Sequence, residues 1–168
     1  MDEVKIEGYR PGAIGRITEL HAAYYSDFSG FGLFFEAKVA SEMSEFMMRI
    51  DKEYDGFWLA VKGDEIIGSV AIDGGERNTK GAHLRWYIVD PKSQGSGIGS
   101  VLMQKAVDFC KQKKFKRVYL LTFKGLDAAR HLYEKYGFTL IKEQEGDQWG
   151  VVVKEQMFEL KLGTVPNF

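Results

Sequence analysis

Cysteine is nearly absent from this sequence. Cys110 stands alone, so no intrachain disulfide can form, a thiolate metal site lacks its ligands, and the reducing cytoplasm is the expected compartment. Proline is almost as scarce: Pro11, Pro91 and Pro166 are expected near the ends of elements, not inside periodic runs. No apolar run approaches the ~18 residues that a membrane-spanning helix needs, and no charged start with an apolar stretch and a small-residue cleavage site opens the chain, so neither membrane nor export is expected. Charge of one sign is also missing. With 23 Lys and Arg against 24 Asp and Glu the formal net charge is -1, which leaves no global positive field for a nucleic-acid backbone or an anionic bilayer. The densest basic run, Lys111 to Arg117, falls where a helix ends and reads as a solvated terminus that complements the helix dipole. Internal repeats and low-complexity tracts are absent as well.

What the sequence does contain is ordinary for a soluble folded chain: 168 residues, 45% apolar and 28% charged, enough to bury a core without metal or disulfide support. A single domain over residues 1–168 is expected. Val4 to Tyr9 reads as a strand, and Pro11-Gly12 breaks it before Ala13 to Tyr25 takes up helical spacing through Ile14, Ile17 and Leu20. Phe34, Phe35, Val39, Met43, Phe46, Met47 and Ile50 repeat at helical spacing, a stripe that reads as core with an acceptor-pocket lining as the alternative. Phe57 to Val61 and Glu65 to Ile72 flank the turn Lys62-Gly63-Asp64 as a hairpin, and Ala82 to Val89 is a further strand stopped by Asp90-Pro91. Ile98 to Cys110 is amphipathic and helical, with Cys110 on the core side. Val118 to Thr122 is a strand, Asp127 to Tyr136 a helix closed by Gly137, and Phe138 to Lys142 and Val151 to Leu162 are terminal strands. The order is βααβββαβαββ.

The segment Gln94-Gly95-Ser96-Gly97-Ile98-Gly99 places three glycines where a strand turns into a helix. Glycine tolerates backbone angles closed to other residues, and the helix start adds its positive dipole end, so amides converge on one spot that suits a pyrophosphate. Spacing separates the phosphate-binding families. The Walker loop fails because no Gly-Lys-Ser/Thr follows, and the dinucleotide fingerprint is met only in part because Gly95 and Gly97 are followed by Ser100 where a third glycine belongs, which leaves a nucleotide-phosphate binder as a rival without ribose or base contacts in the sequence.

The remaining pattern, Gln/Arg-x-x-Gly-x-Gly/Ala, is met by Gln94, Gly97 and Gly99 and resembles the coenzyme A loop of the GNAT acetyltransferase superfamily. A second segment, Ala128-Ala129-Arg130-His131-Leu132-Tyr133-Glu134-Lys135-Tyr136-Gly137-Phe138, resembles the A-x-x-L-Y-E-K-x-G-F stretch found downstream in that superfamily, and one helix and one strand separate the two. The first sixty residues, with Arg10-Pro11-Gly12, Leu84-Arg85 and Gln148-Trp149-Gly150, resemble more narrowly the acetyltransferase half of bacterial MarR/GNAT fusion proteins, without the DNA-binding half.

The resemblance implies an α+β fold whose central, mostly antiparallel sheet splays between its fourth and fifth strands. It implies acetyl-CoA as acyl donor, no metal, and direct attack of a primary amine on the thioester. A small amine or amino-acid-like metabolite is favoured over a peptide N-terminus or a protein lysine, and the resemblance also suggests a homodimer. It assigns cofactor contacts to Tyr87, Ile88, Val89, Gln94, Gly95, Ser96, Gly97, Ile98, Gly99, Ser100, Arg130 and Tyr133, with Tyr133 as general acid. Many relatives carry asparagine where this chain has Leu126, and Ala82 to Val89 holds no carboxylate, so a base must be sought elsewhere; Glu36 and His21 are the candidates. Tyr24, Tyr25, Phe31, Phe35 and Trp149 are candidates for an aromatic acceptor wall, with core packing as the alternative. The same two departures keep open a non-catalytic acyl-CoA-binding or sensing module.

Overall fold

The computed structural model describes residues 3–163, so Pro166 and the ends of the expected domain lie outside the described residues. The apolar spacing becomes burial in each helix. Helix α1 (Ala13–Ser29) buries Ala13, Ile17 and Leu20, and α2 (Leu33–Arg49) buries Phe35, Val39, Met43 and Phe46. Phe34 and Ile50 leave the expected stripe: they are 61% and 37% exposed, because they occupy the first turn of α2 and the residue after its last turn. Helix α3 (Ile98–Gln112) buries six side chains including Cys110, whose thiol burial pushes up to about 12 and so keeps it an inert packing group. Lys111 in the last turn of α3, and Lys113 and Lys114 just after it, are exposed, as a solvated terminus requires.

Strands β1 (Val4–Glu7), β2 (Gly56–Lys62), β3 (Glu65–Asp73), β4 (Ala82–Val89), β5 (Arg117–Phe123), β6 (Thr139–Gly146) and β7 (Val153–Lys161), with helix α4 (Asp127–Lys135), complete the order read from the sequence. They form one seven-stranded sheet, β1-β2-β3-β4-β5-β7-β6. Helices α1 and α2 cover one face over Leu59, Ala71, Trp86 and Phe123; α3 and Tyr133 of α4 cover the other over Val70, Leu84, Leu120 and Phe158. Helix α1 runs past the expected Tyr25 to Ser29, where Gly30 closes it at φ 71°, and β6 runs past Lys142 to Gly146 because it pairs antiparallel with β7 along that length.

Two irregularities position the site. Among the described residues β4 and β5 form the one parallel pair, and they pair only at Ala82 with Val118 and His83 with Tyr119; beyond that point the strands separate. In β4 the register with β3 moves from Ala71 opposite Arg85 to Ser69 opposite Ile88, a β-bulge in which Val70 faces both Trp86 and Tyr87. Trp86 takes φ 47°, rare for a residue with a Cβ, and the Ser69 hydroxyl donates to its carbonyl at 2.6 Å. The bulge resets the alternation, so Leu84 and Tyr87 face α3 while Trp86 packs against α2.

Asp55 ties the start of β2 to this frame. Its side chain is fully buried and accepts from the Gly74 amide at 2.8 Å, the Asp51 amide at 3.0 Å and Arg49 Nη1 at 2.9 Å. Asp55→Ala leaves the buried Gly74 donor without its partner and is expected to cost about 3 kcal/mol, read as a lower urea midpoint with an unchanged slope.

Candidate active site

The glycine turn is held from both sides. The Asp90 amide donates to Ile67 O at 2.7 Å, and its carboxylate accepts from the Lys92 amide at 3.1 Å and Arg16 Nη2 at 3.2 Å, which fixes where β4 ends. Gln94 Nε2 donates back to Val89 O at 3.1 Å, and Ser96 Oγ to Ser93 O at 2.5 Å. Gln94 thereby folds the turn over the strand end. Gly95 and Gly97 lie at φ 86° and 85°, the left-handed region, so glycine is required there by backbone conformation. Val101 N to Gly97 O opens the ladder of α3, and among the described residues no side chain caps Gly97 and no acid occupies the first turn. The positive end of the α3 dipole therefore stays uncompensated by the protein itself.

Gly99 is needed for a different reason. A Cβ there would lie 2.7 Å from Tyr87 Oη, so the missing side chain makes room for that phenol at the start of α3. Tyr136 Oη donates to Ser100 O at 3.0 Å and fastens α4 to the same end. The strand end and the glycine turn are thus one structure, with Ile88 and Val89 leading into it.

Where β4 and β5 separate lies a cavity of about 170 Å³. Tyr87 and Tyr133 line it from β4 and α4, His21 and Tyr25 from α1, Lys38 and Glu42 from α2, and His83, Arg85 and Trp86 from β4. Thr122 and Phe123 of β5 and Trp149 of the β6–β7 turn complete the wall. Of the aromatic candidates Tyr25, Phe31, Phe35 and Trp149 face this cavity; Tyr24 lines a separate groove with Arg16 and Asp90. Core and pocket are here the same residues, because Phe35 and Val39 are buried and also line the cavity. Tyr133 is 7% exposed, with its ring centroid 6.2 Å from Tyr87 and 5.7 Å from Phe158. Burial, and then the neighbouring Tyr87 phenol, push the Tyr133 hydroxyl well above the usual phenol range, so it stays protonated. Arg130 hydrogen-bonds Glu134 at 3.1 Å and lies over the Phe158 ring.

His21 Nδ1 lies 2.8 Å from Ile17 O. A carbonyl only accepts, so Nδ1 carries the proton and the Nε2 lone pair is left as an acceptor. Burial pushes His21 down to about 4, against the raising effect of that hydrogen bond, and burial with the Arg85 charge pushes His83 down to about 3. Both imidazoles are neutral at physiological pH. For a base whose folded pKa is lowered, the unfolded chain binds more protons below the unfolded value near 6.5, so stability is full above that value and falls with pH toward 4. Acid titration of the urea midpoint is expected to show this fall, and His21→Gln to remove its share.

Glu36 is exposed and, among the described residues, does not line the cavity, whereas His21 and Tyr133 do. Lys38, Glu42 and His83 were not singled out by the sequence, and Arg85 only as part of a family likeness, although the i,i+4 spacing of Lys38 and Glu42, one step from the buried Val39, marks them as sharing the α2 edge that meets the core. No cluster of three or more His, Cys, Asp or Glu able to hold a metal occurs among the described residues.

Residues 16–138 match the family model described as the acetyltransferase (GNAT) family. The chain belongs to this family. Among curated relatives, an N-acetylaspartate synthetase from Xenopus tropicalis is 34% identical over 82 residues, covering 49% of this chain and 30% of that one. An uncharacterized N-acetyltransferase from Methanocaldococcus jannaschii is 25% identical over 119 residues, covering 68% and 53%. The chain thus spans a third to a half of the length of these curated relatives. An acetyltransferase from Streptococcus agalactiae shares the GNAT fold at TM-score 0.71 with 19% identity, over 95% of this chain and 98% of that one. The yncA structure from Salmonella typhimurium, solved with its cofactor acetyl-CoA, does so at TM-score 0.71 with 15% identity, over 98% and 96%. The fold is therefore the mixed GNAT sheet, with its single parallel pair among the described residues at β4 and β5. No helix among the described residues is long and apolar enough to cross a membrane.

Proposed function

We propose that this chain is an acetyl-CoA-dependent N-acetyltransferase that passes an acetyl group directly to a primary amine. One observation carries the reading: Tyr87 lines the cavity between β4 and β5 together with the buried Tyr133 phenol, and its own hydroxyl reaches the space beside Gly99 at the uncapped start of α3. The residues present fit the cofactor, since a Cβ at Gly95 or Gly97 would meet no described atom within 4 Å and the amides of Ile98, Gly99 and Ser100 begin an uncapped helix. Acetyl-CoA, when bound, supplies the thioester carbonyl that the amine attacks. In this reading the Gln94 to Ser100 turn holds the pyrophosphate, the β4 backbone of Tyr87, Ile88 and Val89 pairs with the pantetheine arm, and Arg130 reaches a phosphate by leaving Glu134.

Tyr133 donates its O–H as the carbon–sulfur bond breaks, so the sulfur leaves as a thiol. Glu36, exposed and away from the cavity, has no part in this mechanism. His21 Nε2 accepts an N–H of the neutral amine and orients it; at about 4 it is too weak a base to keep the proton, which passes to solvent after the C–N bond has formed. The likeness to the acetyltransferase half of MarR/GNAT fusion proteins, a single domain over residues 1–168, a cytoplasmic setting and a homodimer belong to the same proposal.

The test is free-thiol release from acetyl-CoA by the purified protein across amines, amino acids and short peptides. Turnover with one acceptor class supports the proposal. Tight coenzyme A binding with no thiol released for any acceptor would replace it with the acyl-CoA-binding module.

A further inference from the structure

Charge is distributed unevenly along the cavity between β4 and β5. On the cofactor side stand the neutral phenols of Tyr87 and Tyr133. Toward the end where the strands pair stand Lys38 and Arg85, with Glu42 the sole carboxylate among the described lining residues and the imidazoles of His21 and His83 neutral. Glu42 already holds both cations, at 3.4 Å from Lys38 Nζ and 2.9 Å from Arg85 Nη2. Arg85 Nη1 stands 3.7 Å from Asp73, beyond hydrogen-bond reach, and Asp73 is itself hydrogen-bonded by Arg49. Asp73, outside the lining, thus pairs loosely with Arg85; since a guanidinium carries five donors and an ammonium three, Glu42 leaves free donors on both cations of a half-buried wall that itself holds two cations and one acid.

The bulge brings Trp86 to the same side as Arg85. Without it Trp86 and Arg85 would face opposite sides of β4; with Trp86 at φ 47° the two residues both line the cavity, and the Arg85 guanidinium lies 4.3 Å from the Trp86 ring centroid.

We propose that the acceptor is an amine that also carries a carboxylate, an amino acid or close analogue, with Lys38 and Arg85 binding the carboxylate beside Glu42. The proposal rests on the N-acetyltransferase reading above and narrows its acceptor. A polyamine fits the same wall poorly, because its second ammonium would meet two cations and one acid.

The experiment uses matched pairs, each an amino acid and the amine left when its carboxylate is removed. Thiol release from acetyl-CoA is measured for both, along with calorimetric binding of both to the coenzyme A-loaded protein. The carboxylated member is expected to have a kcat/KM about 10- to 100-fold higher and to bind correspondingly tighter, the scale of one or two charge-assisted hydrogen bonds. Lys38→Met is expected to shrink that ratio about tenfold through KM, with the KM for acetyl-CoA unmoved, and Arg85→Gln to do the same in a protein whose urea midpoint shows that it folds.

Equal or better use of the decarboxylated amines, or a ratio indifferent to Lys38→Met, overturns the carboxylate site while leaving the N-acetyltransferase reading intact. Carboxylate-dependent binding without thiol release supports the site and removes the transferase reading. Absence of both binding and turnover overturns both.

Discussion

Tyr133→Phe is expected to lower kcat by about 100-fold or more, the usual range for a positioned acid, while coenzyme A binds as before. The ring is buried among Tyr87, Phe138 and Phe158, and phenylalanine fills the same space, so only the O–H is lost. A reaction that ejects a thiolate from a half-closed cavity needs a donor at the sulfur, because an unprotonated sulfur leaving into low dielectric is strongly disfavoured. The sign of the pH effect distinguishes this role from packing. Burial raises the phenol above its ordinary value near 10, so the donor form persists as pH rises, and kcat of the unsubstituted protein should not decline on the alkaline side through that value. Tyr133→Phe lowers the whole profile without changing its shape. Turnover unaltered by the substitution at every pH would assign the phenol to packing and move the proton donor to another group.

Much of this fold could be read from spacing alone, for a physical reason. Val39, Met43 and Phe46 in α2, and Leu102, Ala106 and Cys110 in α3, recur at three and four residues because each helix has one face against the sheet, and the structure buries those residues. The glycine turn was legible because a positive φ at Gly95 and Gly97 admits little else. The β4 bulge was not. AHLRWYIV reads as regular alternation, and nothing in its residue types signals that Trp86 takes φ 47°; that angle is fixed by pairing with β3 and by the Ser69 hydroxyl, partners far away in sequence.

The charged end of the cavity was hidden as well. Arg85 was quoted only as part of a family likeness, and Lys38 with Glu42 looked like any exposed helical ion pair, until α2 and β4 brought the three together. Glu36, chosen for its place at the start of α2, is two residues and so about 200° around the helix from Lys38, and it faces outward, which a 3.6-residue period could have revealed once Phe35 and Val39 were taken as the inner face.

Gly97→Val is expected to weaken coenzyme A binding by about 100-fold. Gly97 is the residue from which α3 starts, at φ 85°, and a β-branched side chain in that region costs about 1–3 kcal/mol, where 1.4 kcal/mol is a tenfold change in affinity. In the free protein the turn can relax, since a Cβ at Gly97 meets no described atom within 4 Å and the loop is exposed; the strain is then imposed again when the amides of Ile98, Gly99 and Ser100 are gathered around an anion. The added methyls would also project into the open space beside those amides. Gly12→Val is the control, because Gly12 starts α1 at φ 92° with equally open surroundings, so it carries the same backbone penalty away from the cup. Both variants should keep most of their stability in urea, since each exposed turn can relax, and only Gly97→Val should lose coenzyme A affinity by calorimetry. If a folded Gly97→Val protein bound coenzyme A as tightly as the unsubstituted chain, the pyrophosphate would have to lie away from the start of α3, and the joining of cofactor and acceptor through Tyr87 would lose its basis.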